Sequence, residues 1–323
     1  MLATPRFRAS GHVIFLVLAD WLRTPILVGK VPRLAADNGG LAREAANLRM
    51  LQTIRSGGFD SVPQVVAYED GQSWSLLLET AVIGTPVDLW GRRRSRIDEV
   101  VDWLIEFHTS TMRPSETVRD WYTRLADEPC EQFLTLLPGD GVARHLIDRT
   151  SCVARALYEE DVPLVFEHRD FCPLNILVDH DGAIGVVDWE LGEPDGLPAL
   201  DLFFFLTAAA FARDGAGTEK RCLAAFRTAF FGPTAWARPH ISRYANRVGL
   251  SADLLKPLFI LCWSRHVTTL ARRLHSSDGA MLGSETVGWL RSNRYYALWN
   301  YAVVNYHDLN LYAASACDAT HVA

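Results

Sequence analysis

His168-Arg169-Asp170-Phe171-Cys172-Pro173-Leu174-Asn175 is the stretch on which the interpretation of this chain turns. It leads straight into a hairpin. The apolar runs Asn175–Val178 and Ala183–Val187 flank Asp179-His180-Asp181-Gly182, a strong turn signal. A hairpin brings its two open ends together. Asn175, which opens the first strand, and Asp188, which closes the second, are therefore expected to be neighbours, with Asp170 close by in the preceding loop. Two oxygen donors at such an end suit Mg²⁺, which takes one or two carboxylates or amides and completes its shell with phosphate oxygens and water. A third carboxylate that stays off the metal can orient a hydroxyl and accept its proton.

Upstream of this block the pattern is mixed. Val13–Leu18 and Ile26–Val31 are β-rich runs, with a hairpin connection over Asp20–Pro25. Leu41–Ile54 has helical spacing, and Leu41, Glu44, Leu48 and Leu51 fall on one face at steps of three and four. Val62–Tyr68 and Ser75–Glu79 are two further strands around the turn residues Glu69-Asp70-Gly71. From Ile97 the chain turns helical, first over Val100–Thr109 and then along an amphipathic stretch to about Tyr158. Val162–Glu167 is a short strand, and after Pro198 the chain is helical to its end. The expected architecture is α+β and bilobal. A small β-rich part occupies residues 1–80, a connector residues 81–90, and a larger α-rich part residues 91–323.

Composition narrows the function classes. Apolar residues are 49% and charged residues 22% of the chain, ordinary for a folded globular protein and unlike a disordered one. The net charge of −6 gives no footprint for nucleic acid. From Phe203 onward, however, 13 Lys and Arg face 7 Asp and Glu, so the acidic excess lies in the first 202 residues. Six cysteines at 130, 152, 172, 222, 262 and 317 show no CxxC spacing, which removes the usual zinc and thioredoxin signatures and fits reduced thiols in a cytoplasmic protein. No apolar run reaches the length of a membrane span; Ala199–Ala212, which carries Asp201, is expected to be a buried helix. Asp20-Trp21, following the short apolar run Val13–Ala19, argues against a secretory leader.

The quoted block resembles a known family. His168-Arg169-Asp170-x-x-x-x-Asn175 matches the kinase catalytic-loop pattern HRDxxxxN, and Asp188 stands where the metal-binding Asp of DFG would stand. Phe171-x-Pro173-x-Asn175 is still more similar to the loop of the aminoglycoside phosphotransferase and choline kinase superfamily, usually H-G-D-x-x-x-x-N. The resemblance implies a protein-kinase-like fold and a phosphotransferase using ATP (or GTP) and Mg²⁺. Asp170 would be the catalytic base, Asn175 and Asp188 the metal ligands, and His168, Arg169 and Asp201 supports of the catalytic loop. It also implies that Lys30 steadies the nucleotide phosphates with Glu44 as its partner. Lys30 is one of only three lysines, with Lys220 and Lys256, in a chain that otherwise prefers arginine. Glu44 shares the inward face of its helix with Leu48 and Leu51, where a carboxylate needs a partner. Leu76-Leu77-Leu78-Glu79-Thr80-Ala81 resembles the hinge, whose backbone at Glu79 and Ala81 would hydrogen-bond a purine. A plain N-cap is the alternative for Asp201. His168 is expected to be structural, and His108 to be core or capping.

The match also departs from the protein-kinase pattern. There is no GxGxxG loop, only Ser10-Gly11-His12 as a phosphate-covering turn, and Asp188 is followed by Trp189-Glu190. About a dozen residues separate Asp188 from Asp201 and no APE follows, leaving no room for an activation segment. The acceptor is therefore expected to be a small hydroxyl compound: a sugar, polyol, antibiotic or related metabolite. Arg265 and Arg272, seven apart on one helical face with Arg273 beside them, suggest acceptor binding and favour a neutral or anionic compound over a polycation. Two other functions fit the same pattern: a catalytically silent nucleotide-binding regulator and a kinase-like nucleotidyltransferase. The expected partners are a nucleoside triphosphate and the hydroxyl acceptor, with neither nucleic acid nor membrane among them.

Overall fold

A computed structural model describes residues 2–3, 12–19, 24–33, 39–55, 58–71, 74–89, 96–114, 118–158, 160–275 and 283–313. The chain divides into two compact units. One comprises Met1–Asp88 and His168–Pro194, the other Leu89–Glu167 and Asp195–Ala323. The block quoted at the outset thus groups with the N-terminal residues rather than with the helical ones that flank it in sequence.

The first unit is built on a five-stranded antiparallel sheet in the spatial order Leu2–Ala3, His12–Leu18, Pro25–Pro32, Ser75–Thr80, Val65–Asp70. Register fixes its faces. Lys30 lies opposite Leu77 and Val28 opposite Glu79, so period-two alternation sets Lys30, Leu77 and Glu79 on one face. The helix Gly39–Ile54 covers that face, where Leu41 and Ala45 pack with Leu77. All four residues expected on its inner face, Leu41, Glu44, Leu48 and Leu51, are buried. On the opposite face Gly29 sits under the Phe15 ring, which comes within 2.0 Å of where a Cβ would stand. One strand starts later than its sequence suggests, at Val65 rather than Val62. Pro63 has no N–H for the ladder, and Val62 instead closes a turn onto the Phe59 carbonyl.

The hairpin forms as expected, with strands Ile176–Val178 and Ile184–Val186 joined through Gly182 in the left-handed region (φ 89°). It is held within the unit by Thr85–Pro86, which pairs with Leu177 and Val178, and by the Val186 N–H on the Ser61 carbonyl. These bonds explain why 168–194 belongs to this unit.

The second unit is helical. The amphipathic stretch before Tyr158 is interrupted at Pro138-Gly139-Asp140, where Gly139 has φ 74° and the Asp140 carboxylate caps the next helix by accepting from the Val142 and Ala143 N–H groups. Ala252–Leu274 is the central helix, packed by Glu128–Leu136, Gly141–Ala154, Leu200–Arg213 and Arg294–Val304. Phe203, Phe226, Phe230, Phe259 and Trp263 fill its core with ring centroids 4.9–5.9 Å apart, the offset and edge-on packing that aromatic quadrupoles favour. Among the described residues no helix is long and apolar enough to cross a membrane.

Candidate active site

Nine of the residues singled out by sequence fall within the first unit: Lys30, Glu44, Glu79, Ala81, His168, Arg169, Asp170, Asn175 and Asp188. The strand Pro25–Pro32 aims Lys30 at the covering helix. Lys30 is 5% exposed, and its ammonium lies 2.6 Å from Glu44 Oε1 and 3.1 Å from Glu79 Oε1. The same Glu44 oxygen accepts the backbone N–H of Trp189 at 3.0 Å. One turn along the helix, Asn47 Nδ2 donates to the carbonyls of Trp189 (2.8 Å) and Gly192 (3.0 Å). One helix therefore fixes both the lysine and the segment that carries Asp188.

One ammonium serves an excess of carboxylates. Burial alone would pull the Lys30 ammonium down, but Glu44, Glu79 and Asp188 outweigh it and hold it well above the usual lysine range. Glu79 goes the other way for its own charge. Burial, which Lys30 opposes and Glu44 reinforces, pushes its carboxyl up to about 7. Glu44 Oε2 and Glu79 Oε2 are buried without a hydrogen bond.

At the hairpin base, Asn175 Nδ2 donates to both the carbonyl and Oδ2 of Asp170, each at 3.0 Å. This orients the Asp170 carboxylate and leaves the Asn175 amide oxygen for another partner. His168 Nε2–H donates to the Val187 carbonyl at 3.0 Å, while Nδ1 accepts the Asp170 N–H at 3.2 Å, so the imidazole braces the loop. Arg169 (φ 66°) and Asp188 (φ 71°) occupy left-handed backbone, which costs a non-glycine residue about 1–2 kcal/mol. The half-buried Asp188 carboxylate makes no hydrogen bond or ion pair among the described residues. With the Asn175 oxygen it gives the hard-oxygen donor set that suits Mg²⁺. Burial raises the Cys172 thiol to about 12, so it is neutral at physiological pH.

Several expectations need correction. Glu79 is paired on both sides, opposite Val28 and Val65, and the Ala81 N–H is committed to the Ile26 carbonyl at 3.1 Å. Glu79 thus contributes its side chain, and the Ala81 amide is not a free purine donor. Asp201 is not an N-cap: Ala199 holds that position at φ 67°, and Asp201 Oδ2 lies 3.5 Å from His108 Nε2, both buried. His108 Nδ1 and Tyr244 Oη are hydrogen-bonded at 2.6 Å, and Tyr244 Oη accepts the Ala199 N–H. Arg265 is 4% exposed and bonded to Glu167 at 2.8 Å, while Glu167 also accepts the Leu197 N–H. Its charge is spent inside the helical unit and unavailable to an acceptor. Arg272 is exposed beside Glu128, Glu131 and His275 at a cavity of about 490 Å³. Of the phosphate-covering turn, Ser10 and Gly11 lie outside the described residues; His12 Nδ1 stands 3.7 Å from Glu190 Oε2.

Comparison with known proteins fits this geometry. The model of the phosphotransferase enzyme family (APH) matches residues 16–240, more than half the chain. The chain belongs to this family. It is a phosphotransferase with an alcohol group as acceptor, a small-molecule kinase. No curated protein matches the sequence. Among solved structures this phosphotransferase is similar to choline kinase LicA from Streptococcus pneumoniae, with 13% identity, 95% of this chain and 94% of that one covered, and a TM-score of 0.59. An ethanolamine kinase from Plasmodium vivax gives 13% identity, coverage of 92% and 81%, and a TM-score of 0.57. A thermostable mutant of aminoglycoside phosphotransferase APH(4)-Ia, in ternary complex with AMP-PNP and hygromycin B, gives 14% identity, coverage of 93% and 92%, and a TM-score of 0.53. At these identities the likeness bears on fold alone: small kinase-like proteins with a β-rich N-terminal part and a helical C-terminal part.

Proposed function

We propose that the protein is an ATP- and Mg²⁺-dependent O-phosphotransferase acting on a small hydroxyl compound: a sugar, polyol, antibiotic or related metabolite. The observation that carries this is the single Glu44 oxygen that holds both the Lys30 ammonium and the backbone N–H next to Asp188. It ties the proposed phosphate-binding cation to the segment that carries the proposed metal ligand, within one unit. Residues 1–80 would carry the nucleotide and 91–323 would select the acceptor, joined by 81–90. Lys30 would neutralise phosphate oxygens. Asn175 Oδ1 and Asp188 would hold Mg²⁺, which supplies charge stabilisation on the transferring phosphoryl group. Asp170, oriented by Asn175, would align the acceptor hydroxyl and take its proton as the oxygen bonds to the γ-phosphorus and the bond to ADP breaks.

The test is an acceptor panel with ATP, followed by Asp170→Asn on whichever acceptor turns over. Release of ADP with a phosphorylated acceptor is expected, and Asp170→Asn should lower turnover by about 10²–10⁴ while nucleotide affinity stays within about threefold. Pyrophosphate release would indicate nucleotidyl transfer, and undiminished turnover in the variant would remove Asp170 from the mechanism.

A further inference from the structure

Glu79 has no assigned part in phosphoryl transfer, yet it is 2% exposed and Lys30 is its only side-chain partner among the described residues. Glu44 differs, because a backbone N–H also stabilises its charge. The second Glu79 oxygen is buried and makes no hydrogen bond. Its ionised state therefore hangs on one ammonium, which it shares with a better-placed competitor.

We propose that Glu79 is a second counter-ion of Lys30, surrendering the ammonium to the nucleotide phosphates and taking up a proton from solvent as they bind. This role rests on Lys30 being the phosphate ligand of the proposed function. The groups facing Glu79 all bear on it in a defined sense. Lys30, from the neighbouring strand Pro25–Pro32, favours its charge; Glu44, from the covering helix, and Asp188 oppose it. Tyr68, from the other neighbouring strand, is opposite Leu77 on the same face and brings no charge. A magnesium nucleotide still carries net negative charge into this cluster and draws the ammonium toward itself. Both effects raise the proton affinity of Glu79, which burial already holds near neutrality. Linkage then requires that binding take up protons and weaken as pH rises above about 7. Below that range the carboxyl is already protonated before the nucleotide arrives, and affinity reaches a plateau. Glu79 acts through Lys30 and is a positioning residue.

The experiment is calorimetric titration of the full chain with Mg²⁺–AMP-PNP in buffers of different ionisation heat, from pH 6.5 to 9. Wild type is expected to take up a measurable fraction of one proton near pH 8, and its affinity should fall by up to about tenfold per pH unit there. Glu79→Gln should abolish most of the uptake and flatten the affinity profile, a change that a merely structural role would not produce. Glu79→Met, of similar length and uncharged, serves the same comparison if the amide variant fails to fold. Absent uptake in wild type, or uptake that persists in these variants, overturns the proposal. Lys30→Met is the separate control: if it binds AMP-PNP as tightly as wild type, the phosphate-binding role of Lys30 fails, whatever Glu79 does.

Discussion

Glu44→Gln probes the site at its most connected atom. Glu44 Oε1 accepts from Lys30 Nζ at 2.6 Å and from the Trp189 N–H at 3.0 Å, with no exposure to water. Breaking a buried ion pair outright costs about 3–5 kcal/mol, because a charge is stranded. Here Lys30 keeps Glu79 at 3.1 Å, and glutamine keeps an oxygen in place, so neither donor is orphaned. What is lost is the charge-assisted part of two hydrogen bonds, about 1–2 kcal/mol each. Relief of the repulsion between Glu44 and Glu79 returns some of it. The net loss is therefore about 2 kcal/mol, a fall in Tm of roughly 3 °C at pH 8 for a chain of 323 residues. Thermal unfolding followed by circular dichroism reads the shift, and amide hydrogen exchange at Trp189 should accelerate with it. Glu44→Ala, which orphans the Trp189 N–H and leaves a cavity, should lose about twice as much. A Tm within a degree of wild type for Glu44→Gln would refute the view that this carboxylate anchors both partners.

Two further outcomes follow from the same unit. The Glu79 carboxyl is raised from its ordinary 4.5 to about 7, so between those values the folded protein binds more protons than the unfolded chain. Stability contributed here is full below pH 4.5 and lost as pH rises through 7, on the order of 3 kcal/mol; denaturant midpoints of wild type minus Glu79→Gln should trace that fall, and a flat difference would contradict it. Gly29→Ala places a methyl 2.0 Å from the Phe15 ring and should cost about 1–3 kcal/mol. Phe15→Leu in the same chain should recover most of the loss in Tm, and no recovery would show that the ring is not the obstacle.

Where local periodicity or an eight-residue pattern fixes a position, the sequence was enough. The inward Glu44, the strand lysine and the hairpin that ends at Asp188 are all of that kind, because each depends on a step of two, three or four residues. What escaped depends on tertiary partners. The hinge-like pattern points to the Glu79 backbone, whereas the alternation Ser75, Leu77, Glu79 marks its carboxylate as inward; every second residue of that strand is buried. Asn47, one turn after Glu44, carried a similar signal, a polar residue on the same buried face. Arg265 misled for the opposite reason. A basic residue on a helix face looks the same whether it meets solvent or a buried glutamate, and Glu167 is 98 positions away in sequence. The plain N-cap alternative for Asp201 fails likewise, since only the fold shows that Ala199 takes the cap and that His108 lies beside the carboxylate.

Asp188 sits in left-handed backbone that is held from both sides. A glycine would hold φ 71° without strain, whereas an aspartate gives up about 1 kcal/mol to do so. The next residue is clamped from both sides: its N–H by Glu44 and its carbonyl by Asn47, two side chains of one helix turn. That clamp is what makes the strained conformation persist, because relaxing Asp188 would break both bonds. A stability-driven sequence would place glycine there. A carboxylate in that position, beside the Asn175 end of the hairpin and otherwise unpartnered among the described residues, is what the Mg²⁺ role proposed for Asp188 would require.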